Sequence, residues 1–225
     1  MSYFIWNGTS SKEYGVLKNP SVPSGSMNDF EYISIPNRVP IAKSLKTRQN
    51  TKISFLLQFN NRKVYDYLYS WLNNGNREGV LIVSDDLTKY YKATCTSVTT
   101  NYMSLRFSSV DITFTCVPFR YSIDNEPILL ESNGTVNVGG NYYSEPRIKI
   151  YGNGSGTLAV NGANLSVYVD SYLTVDTERL LAYKDNVVAL SQTAGVLPTF
   201  QVGANTVAFN GGISKVEIYK NERWL

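Results

Sequence analysis

The residues that most often carry catalysis are missing from this sequence. The chain contains no histidine, the side chain that most often serves as a general base and as a metal ligand. Catalytic triads of the Ser-His and Cys-His type are therefore excluded, and so are zinc sites that need histidine. The two cysteines, Cys95 and Cys116, are too few for a four-thiolate zinc site. Chemistry based on carboxylates alone remains open, but the sequence contains no catalytic constellation, and we expect a protein that is not an enzyme.

The two cysteines are expected to be structural. Cys95 and Cys116 lie in neighbouring runs with the composition of strands, so a disulfide across those strands and a pair of reduced core thiols are both open. A small apolar cysteine suits a buried strand position, and the chain opens without a signal peptide, so reduced thiols are favoured. No apolar stretch is long enough to span a bilayer. We expect synthesis in a cytosol and no membrane insertion.

Two short polar motifs could bind ions, but each is better explained as a turn. Asp85 and Asp86, followed by Thr88, could hold a hard cation or serve as a general acid. Aspartate is common in turns, however, and this motif separates two strand-like runs. The segment GNGSG at residues 152–156 resembles a phosphate-binding loop, but it lacks the lysine and the following helix of such a loop. The sequence thus predicts no metal site and no cofactor.

A basic, proline-containing segment is the best candidate for contact with another macromolecule. Residues 19–50 contain four prolines and are expected to form a loop or extended arm with short strand pieces. The basic stretch from Arg38 to Arg48 lacks interleaved aromatic residues, and a net charge of +3 is small, so a solvated arm or an arm between subunits is favoured over nucleic-acid binding. The candidate residues of this inter-subunit arm are Arg38, Ile41, Lys43, Leu45, Lys46 and Arg48.

The first half of the chain predicts an antiparallel sheet closed over one helix. Asn7-Gly8 has the composition of a primed hairpin turn between short strands. The segment GVLIVSDD at residues 79–86 predicts a strand covered on both faces, and a change of phase after Phe107 predicts a β-bulge near Ser108-Ser109. The helix is predicted in NRKVYDYLYSWLNNG, and its expected apolar face consists of Val64, Tyr67, Leu68, Trp71 and Leu72.

The second half predicts a β-sandwich. Short strand-like runs separated by Asn-Gly turns follow one another, and no helical pattern competes with them. We place the boundary at about residues 122 to 135, which gives domains at 1–125 and 130–225. The chain ends in Arg223-Trp224-Leu225, and a bulky terminus suggests that the last strand is held in place. We expect Trp224 and Leu225 to pin it.

Four segments of the chain together resemble one protein family. The segments are FIWNGTSSKEYGVL, VYDYLYSWLNNGNREGVLIVSDDLTKYYKATCTSV, VDITFTCVPFRYS and the closing LPTFQVGANTVAFNGGISKVEIYKNERWL, with its Gly-x-Asn turn and Arg-Trp-Leu ending. Each motif is weak singly, but their order and spacing resemble the distal tail proteins of long-tailed bacteriophages and prophages. The resemblance covers nearly the whole chain and implies a Gram-positive host.

The resemblance implies a structural adaptor of the phage tail tip. Residues 1–125 would form a hexameric ring, single or back-to-back with a second ring, that continues the tail tube. Residues 130–225 would form a galectin-like sandwich that projects outward. The implied partners are the tail tube protein, the tail-tip hub or tail-associated protein, and receptor-binding proteins. DNA would pass through the lumen without specific binding, and the protein would be located in the virion at the tail tip.

Two other classes of function remain open on the sequence. A carbohydrate-binding module that contacts host cell-wall polysaccharide would use tyrosines that stack on sugars, although sheet tyrosines are more often half-buried amphipathic residues. A carboxylate-based glycosidase would need an Asp/Glu pair at working separation in a cleft. The candidate sugar-stacking residues are Tyr142, Tyr143, Tyr151, Tyr168 and Tyr172.

Overall fold

The structure of the chain is a computed structural model that describes residues 2–20, 25–60, 63–73, 78–104 and 107–225. Strands dominate the described residues, which contain one α-helix and two short 3-10 helices, Ser11–Glu13 and Leu190–Gln192. The mainly β fold predicted for both halves of the sequence is therefore confirmed. The chain forms two compact units: Met1–Tyr121 together with Leu225, and Ser122–Trp224.

The first unit is built on one large sheet and one helix. The sheet has the strand order β2-β1-β7-β8-β9-β6-β3, and strands β4 and β5 form a separate two-stranded sheet. The strands are β1 (Phe4–Trp6), β2 (Thr9–Ser10), β3 (Val16–Pro20), β4 (Asn28–Ile33), β5 (Ile41–Arg48), β6 (Thr51–Phe59), β7 (Gly79–Val83), β8 (Lys89–Met103) and β9 (Ser108–Ser122), and the helix α1 is Lys63–Leu72.

The turn predicted at the start of the chain is confirmed. Asn7 and Gly8 both have positive φ, 48° and 86°, as a primed hairpin turn requires. The Asn7 side chain also accepts a hydrogen bond from the backbone N–H of Val80 at 2.9 Å, which ties the turn to the neighbouring strand β7. A local sequence signal thus places the first hairpin against the sheet.

The helix packs on an aromatic core, but one residue of its predicted face is wrong. Leu68 and Leu72 are buried, whereas Tyr67 is 71% exposed. At 3.6 residues per turn, Tyr67 lies about 120° around the helix from the direction of the two leucines. Tyr65 lies closer to that direction and packs against the core in its place. Asn74-Gly75, the end of the segment in which the helix was predicted and its expected stop signal, lies outside the described residues.

Two strand predictions in the first unit are corrected. Strand β7 is not covered on both faces: Leu81 and Val83 are buried, while Val80 is substantially exposed, so the strand has one core face. The bulge predicted near Ser108-Ser109 is absent from the pairing of β6 with β9, whose register is continuous from Thr51↔Cys116 to Phe59↔Ser108. The phase change falls between the end of β8 at Met103 and the start of β9 at Ser108, where the Ser104 N–H donates to the Phe107 carbonyl oxygen.

The second unit is built on three long strands that bend over a single core. Its strand order is β10-β17-β12-β13-β14-β15, with β11 also paired to β17 and β16 to β13. Buried residues from both ends of the long strands, such as Ile148 and Val160 of β12, belong to one apolar core. The strands are β10 (Ile128–Leu130), β11 (Gly134–Val138), β12 (Arg147–Val160), β13 (Ala163–Asp176), β14 (Leu181–Lys184), β15 (Val187–Val188), β16 (Thr193–Gly195), β17 (Gly203–Tyr219) and β18 (Arg223–Trp224).

The segment GNGSG is part of a strand rather than a turn between strands. It lies inside β12, where the register with β17 shifts between Tyr151 and Gly156. A Cβ atom at Gly152 would lie 1.9 Å from the Gly212 carbonyl oxygen, so the two backbones approach more closely than any side chain allows. The glycines therefore serve a β-bulge at which the long strands change direction.

Candidate interaction surface

Strands β4 and β5 form a β-hairpin that pairs with neither large sheet. Tyr32 faces Ala42 and Ile33 faces Ile41 across the ladder. The turn between the strands contains Pro36 and Pro40, at positions where a proline removes no ladder hydrogen bond. The predicted extended arm therefore contains the short strand pieces expected for it, but they pair with each other instead of running as a single extended chain.

The hairpin carries large apolar side chains that are exposed on both faces. Tyr32 and Ile33 are consecutive in β4 and so point to opposite faces, yet both are exposed. An isolated two-stranded hairpin is only marginally stable in water, and exposed apolar patches of this kind mark surfaces that bind another protein. The exposed apolar residues of the hairpin are Met27, Phe30, Tyr32, Ile33, Val39, Ile41 and Leu45, of which Val39 is the most exposed at 84%.

Five of the six predicted arm residues are exposed. Arg38 lies in the turn, and the other four exposed residues lie along β5. Arg48 differs, because it is half-buried and its guanidinium donates to the Ser26 carbonyl oxygen at 3.2 Å, so it holds the base of the hairpin. The exposed members are Arg38, Ile41, Lys43, Leu45 and Lys46.

The ion pair between the two strands of the hairpin is weak. Lys43 and Glu31 face each other across the ladder, but their charged atoms are 4.0 Å apart and both side chains are more than half exposed. An ion pair of this kind contributes little to stability. The basic side chains of the hairpin are thus exposed to solvent and held only weakly by other charges of the hairpin.

Sequence reasoning missed the most prominent apolar residues of this surface. Phe30, Tyr32 and Val39 were not among the predicted arm residues, although all three are strongly exposed. The alternation of Phe30, Glu31 and Tyr32 is the pattern of a strand with one buried face. That pattern could have indicated an amphipathic hairpin, but it does not tell which partner covers it.

The Asp85-Asp86 motif is confirmed as a turn. The Asp86 carboxylate accepts hydrogen bonds from the backbone N–H and the hydroxyl of Thr88, and the Lys89 ammonium lies 2.7 Å away. These hydrogen bonds from Lys89 and Thr88 lower the pKa of Asp86 to about 2. Its carboxylate is thus already satisfied by neighbours within the turn. Among the described residues, no three histidine, cysteine, aspartate or glutamate side chains are grouped to hold a metal ion.

Both cysteines have free thiols, as expected for core residues. Cys116 is fully buried and Cys95 is half-buried. Burial raises the pKa of Cys95 to about 11 and that of Cys116 to about 12. Since the thiolate is the nucleophilic form, both side chains are unreactive at neutral pH.

The five candidate tyrosines are divided between three places in the second unit. The rings of Tyr142 and Tyr143 lie 4.7 Å apart and tilted to each other beside Arg223, and Tyr151 and Tyr172 are neighbours across β12 and β13. Tyr168 stands apart and is 52% exposed. The structure therefore does not gather the five into one aromatic platform. No helix in the described part of the chain is long and apolar enough to cross a membrane.

Comparison with known proteins gives a match in structure but none in sequence. No family model and no curated protein matches the chain. The chain is similar to the crystal structure of SPP1 Dit (gp 19.1), described as a paradigm of the hub adsorption apparatus in phages that infect Gram-positive bacteria, with a TM-score of 0.74 and 13% identity over 100% of both chains. The resemblance to distal tail proteins noted in the sequence is confirmed at the level of the fold: over its whole length, this chain has the fold of SPP1 Dit.

Proposed function

We propose that the protein is a structural adaptor of a phage tail tip. Six copies form a ring through residues 1–125, as a single ring or as two rings back-to-back. One face of the ring meets the tail tube protein and the other meets the tail-tip hub protein, while the galectin-like residues 130–225 project outward toward receptor-binding proteins. The full-length fold match to a hub protein supports this role. The protein acts in the virion by assembly and not by catalysis.

The observation that carries the proposal is the exposed hairpin of β4 and β5. A ring requires an interface in which one patch of a subunit meets a different patch of the next. A hairpin with apolar side chains on both faces suits such an interface, because it can insert between two surfaces and bury both of its own faces. Its closed turn and paired strands also reduce the conformational entropy lost on docking.

The charges agree with a ring that surrounds DNA without holding it. The net charge of +3 on 225 residues is small, and a strong phosphate-binding surface would need many clustered lysines and arginines. The exposed basic residues of the hairpin are interspersed with apolar ones, as in a protein interface. DNA would pass through the lumen without specific contacts.

The proposal is tested by light scattering coupled to size-exclusion chromatography over a concentration series. Wild-type protein should elute with a mass of about 150 kDa, six times the chain mass of 25.2 kDa, or twice that value. A double variant, Ile33→Thr and Ile41→Thr, removes apolar surface from one face of the hairpin. Threonine keeps the β-branched shape that strands favour, so the variant should fold but remain largely monomeric.

A matched control separates this interface from general apolar exposure. Val187 and Val188 form strand β15 and are also well exposed, so a double Val→Thr variant there should assemble like the wild type. Wild-type protein that stays monomeric at millimolar concentration would contradict self-assembly into a ring. A full ring in the Ile33/Ile41 variant would show that the hairpin is not the interface.

A further inference from the structure

A shallow groove crosses four neighbouring strands of the second unit. Asn210 of β17, Thr157 of β12, Ser166 of β13 and Ala194 of β16 face one another in register, so their short side chains form a transverse row on one surface of the sheet. The short side chains of this row keep the floor low, and the groove has a volume of about 430 Å³.

The groove has walls as well as a floor. Tyr168 pairs with Ser155 in the next outward position of β13 and β12, and its ring is half exposed at one side. Ser191 and Gln192, from the short 3-10 helix Leu190–Gln192, line the groove too. An aromatic ring therefore stands beside a polar floor, a combination typical of sites that orient a ligand by a few polar groups and one apolar face.

The polar groups of the groove are not used within the protein. The side chains of Thr157, Ser166, Asn210 and Gln192 form no hydrogen bond with any residue that the structure describes. Hydroxyl and amide groups of this kind can both donate and accept. The row therefore offers a set of donors and acceptors to a ligand.

The other end of the same strands shows that this openness is local. There the Glu217 carboxylate accepts hydrogen bonds from the hydroxyls of Tyr151 and Tyr219, each at 2.8 Å, and the Lys149 ammonium lies 4.4 Å from the centre of the Tyr172 ring. Those polar groups satisfy one another across β12, β13 and β17. The two ends of this sheet surface thus differ: the polar groups cited at the far end bond to one another, whereas the side chains of Thr157, Ser166 and Asn210 have no hydrogen-bond partner among the described residues.

We propose that this groove binds a neutral saccharide. None of the twelve residues that line the groove carries a charge, which disfavours phosphate, nucleic acid and charged peptides. An uncharged ligand with many hydroxyl groups matches the hydroxyl and amide groups of the floor, which can each donate and accept, and the apolar face of a sugar ring matches the Tyr168 ring. The groove is a second role for the protein, and it does not depend on ring assembly.

The experiment measures binding of neutral oligosaccharides to the full chain. Oligosaccharides of glucose, galactose and N-acetylglucosamine are titrated by calorimetry and by saturation-transfer NMR, with poly(glycerol phosphate) as the charged comparison. At least one neutral oligosaccharide should bind, with an affinity that changes little with salt concentration. The variants Tyr168→Ala and Asn210→Ala should each weaken binding by about fivefold or more.

The control is a tyrosine outside the groove. Tyr67 of helix α1 is exposed to a greater degree than Tyr168, and Tyr67→Ala should leave the affinity unchanged. Circular dichroism of each variant checks that it remains folded. The proposal is overturned if no neutral oligosaccharide binds at millimolar concentration, if only poly(glycerol phosphate) binds, or if folded Tyr168→Ala and Asn210→Ala variants bind as well as the wild type.

Discussion

Replacing Asn205 by alanine should destabilise the second unit more than any exposed polar substitution. Asn205 is fully buried at the start of β17. Its side-chain oxygen accepts from the Gln201 N–H and from the Asn161 amide, and its amide donates to the carbonyl oxygens of Gln201 and Gly203, all at 2.7 to 2.9 Å. One side chain therefore closes the loop before β17 and joins it to the turn between β12 and β13.

The size of the effect follows from these four hydrogen bonds. A neutral hydrogen bond contributes about 1 kcal/mol net, and a buried partner left unsatisfied costs more. Water can reach Gln201 and Asn161, which are exposed, so part of the loss is recovered. We expect Asn205→Ala to lower the free energy of unfolding by about 2 to 3 kcal/mol, and the melting temperature of the second unit by about 10 to 20 °C.

Differential scanning calorimetry of the full chain measures this shift, with Asn137→Ala as the matched control. Asn137 is an exposed asparagine of β11 that pairs with Ala204, the residue next to Asn205, and its replacement should change the melting temperature by no more than about 2 °C. If Asn205→Ala has the same melting temperature as Asn137→Ala, the buried hydrogen bonds do not hold the loop, and the reasoning from hydrogen-bond satisfaction is wrong.

Two further predictions concern charged groups. Arg223 is 4% exposed, and its guanidinium donates to the Tyr143 carbonyl oxygen and to the Glu145 carboxylate. Arg223→Ala should therefore lower the free energy of unfolding by about 3 kcal/mol, as measured by thermal unfolding. A loss of stability smaller than that caused by deleting Trp224 and Leu225 would contradict this prediction. Because the pKa of Asp86 is lowered from 3.8 to about 2, the stabilisation by its carboxylate should be present above about pH 4 and fade as the pH falls toward 2. In urea unfolding, the wild type should be more stable than Asp86→Asn by about 1 kcal/mol at neutral pH but not near pH 2. An equal difference in stability at both pH values would refute this assignment.

The features predicted correctly from the sequence are those that depend on residues close together in the chain. The Asn7-Gly8 turn follows from the need for positive φ, and the helix follows from the spacing of Val64, Leu68 and Leu72. Tyr67 was assigned to the buried face because the spacing of apolar residues does not show where the centre of the packed face lies. Only the position of the sheet decides that Tyr65 is covered and Tyr67 is not.

Features that arise from pairing between distant segments could not be predicted. The GNGSG segment has the composition of a turn, yet its glycines allow β12 to pass close to Gly211 and Gly212 of β17, about sixty residues later in the chain. Arg223, and not the apolar Trp224 and Leu225 alone, ties the terminal strand through its contact with Glu145. The groove of the second unit is likewise lined by a row of residues from four strands, which no single segment displays.

The exposed hairpin also affects the tendency of the free protein to aggregate. Strands β4 and β5 each present one edge that is unpaired within the described residues, and an apolar strand edge is a template for aggregation. Lys43 and Lys46 on β5, and Pro36 and Pro40 in the turn, are the kinds of residue that oppose such pairing. The basic and proline-containing composition of the segment thus also opposes aggregation through this exposed apolar surface.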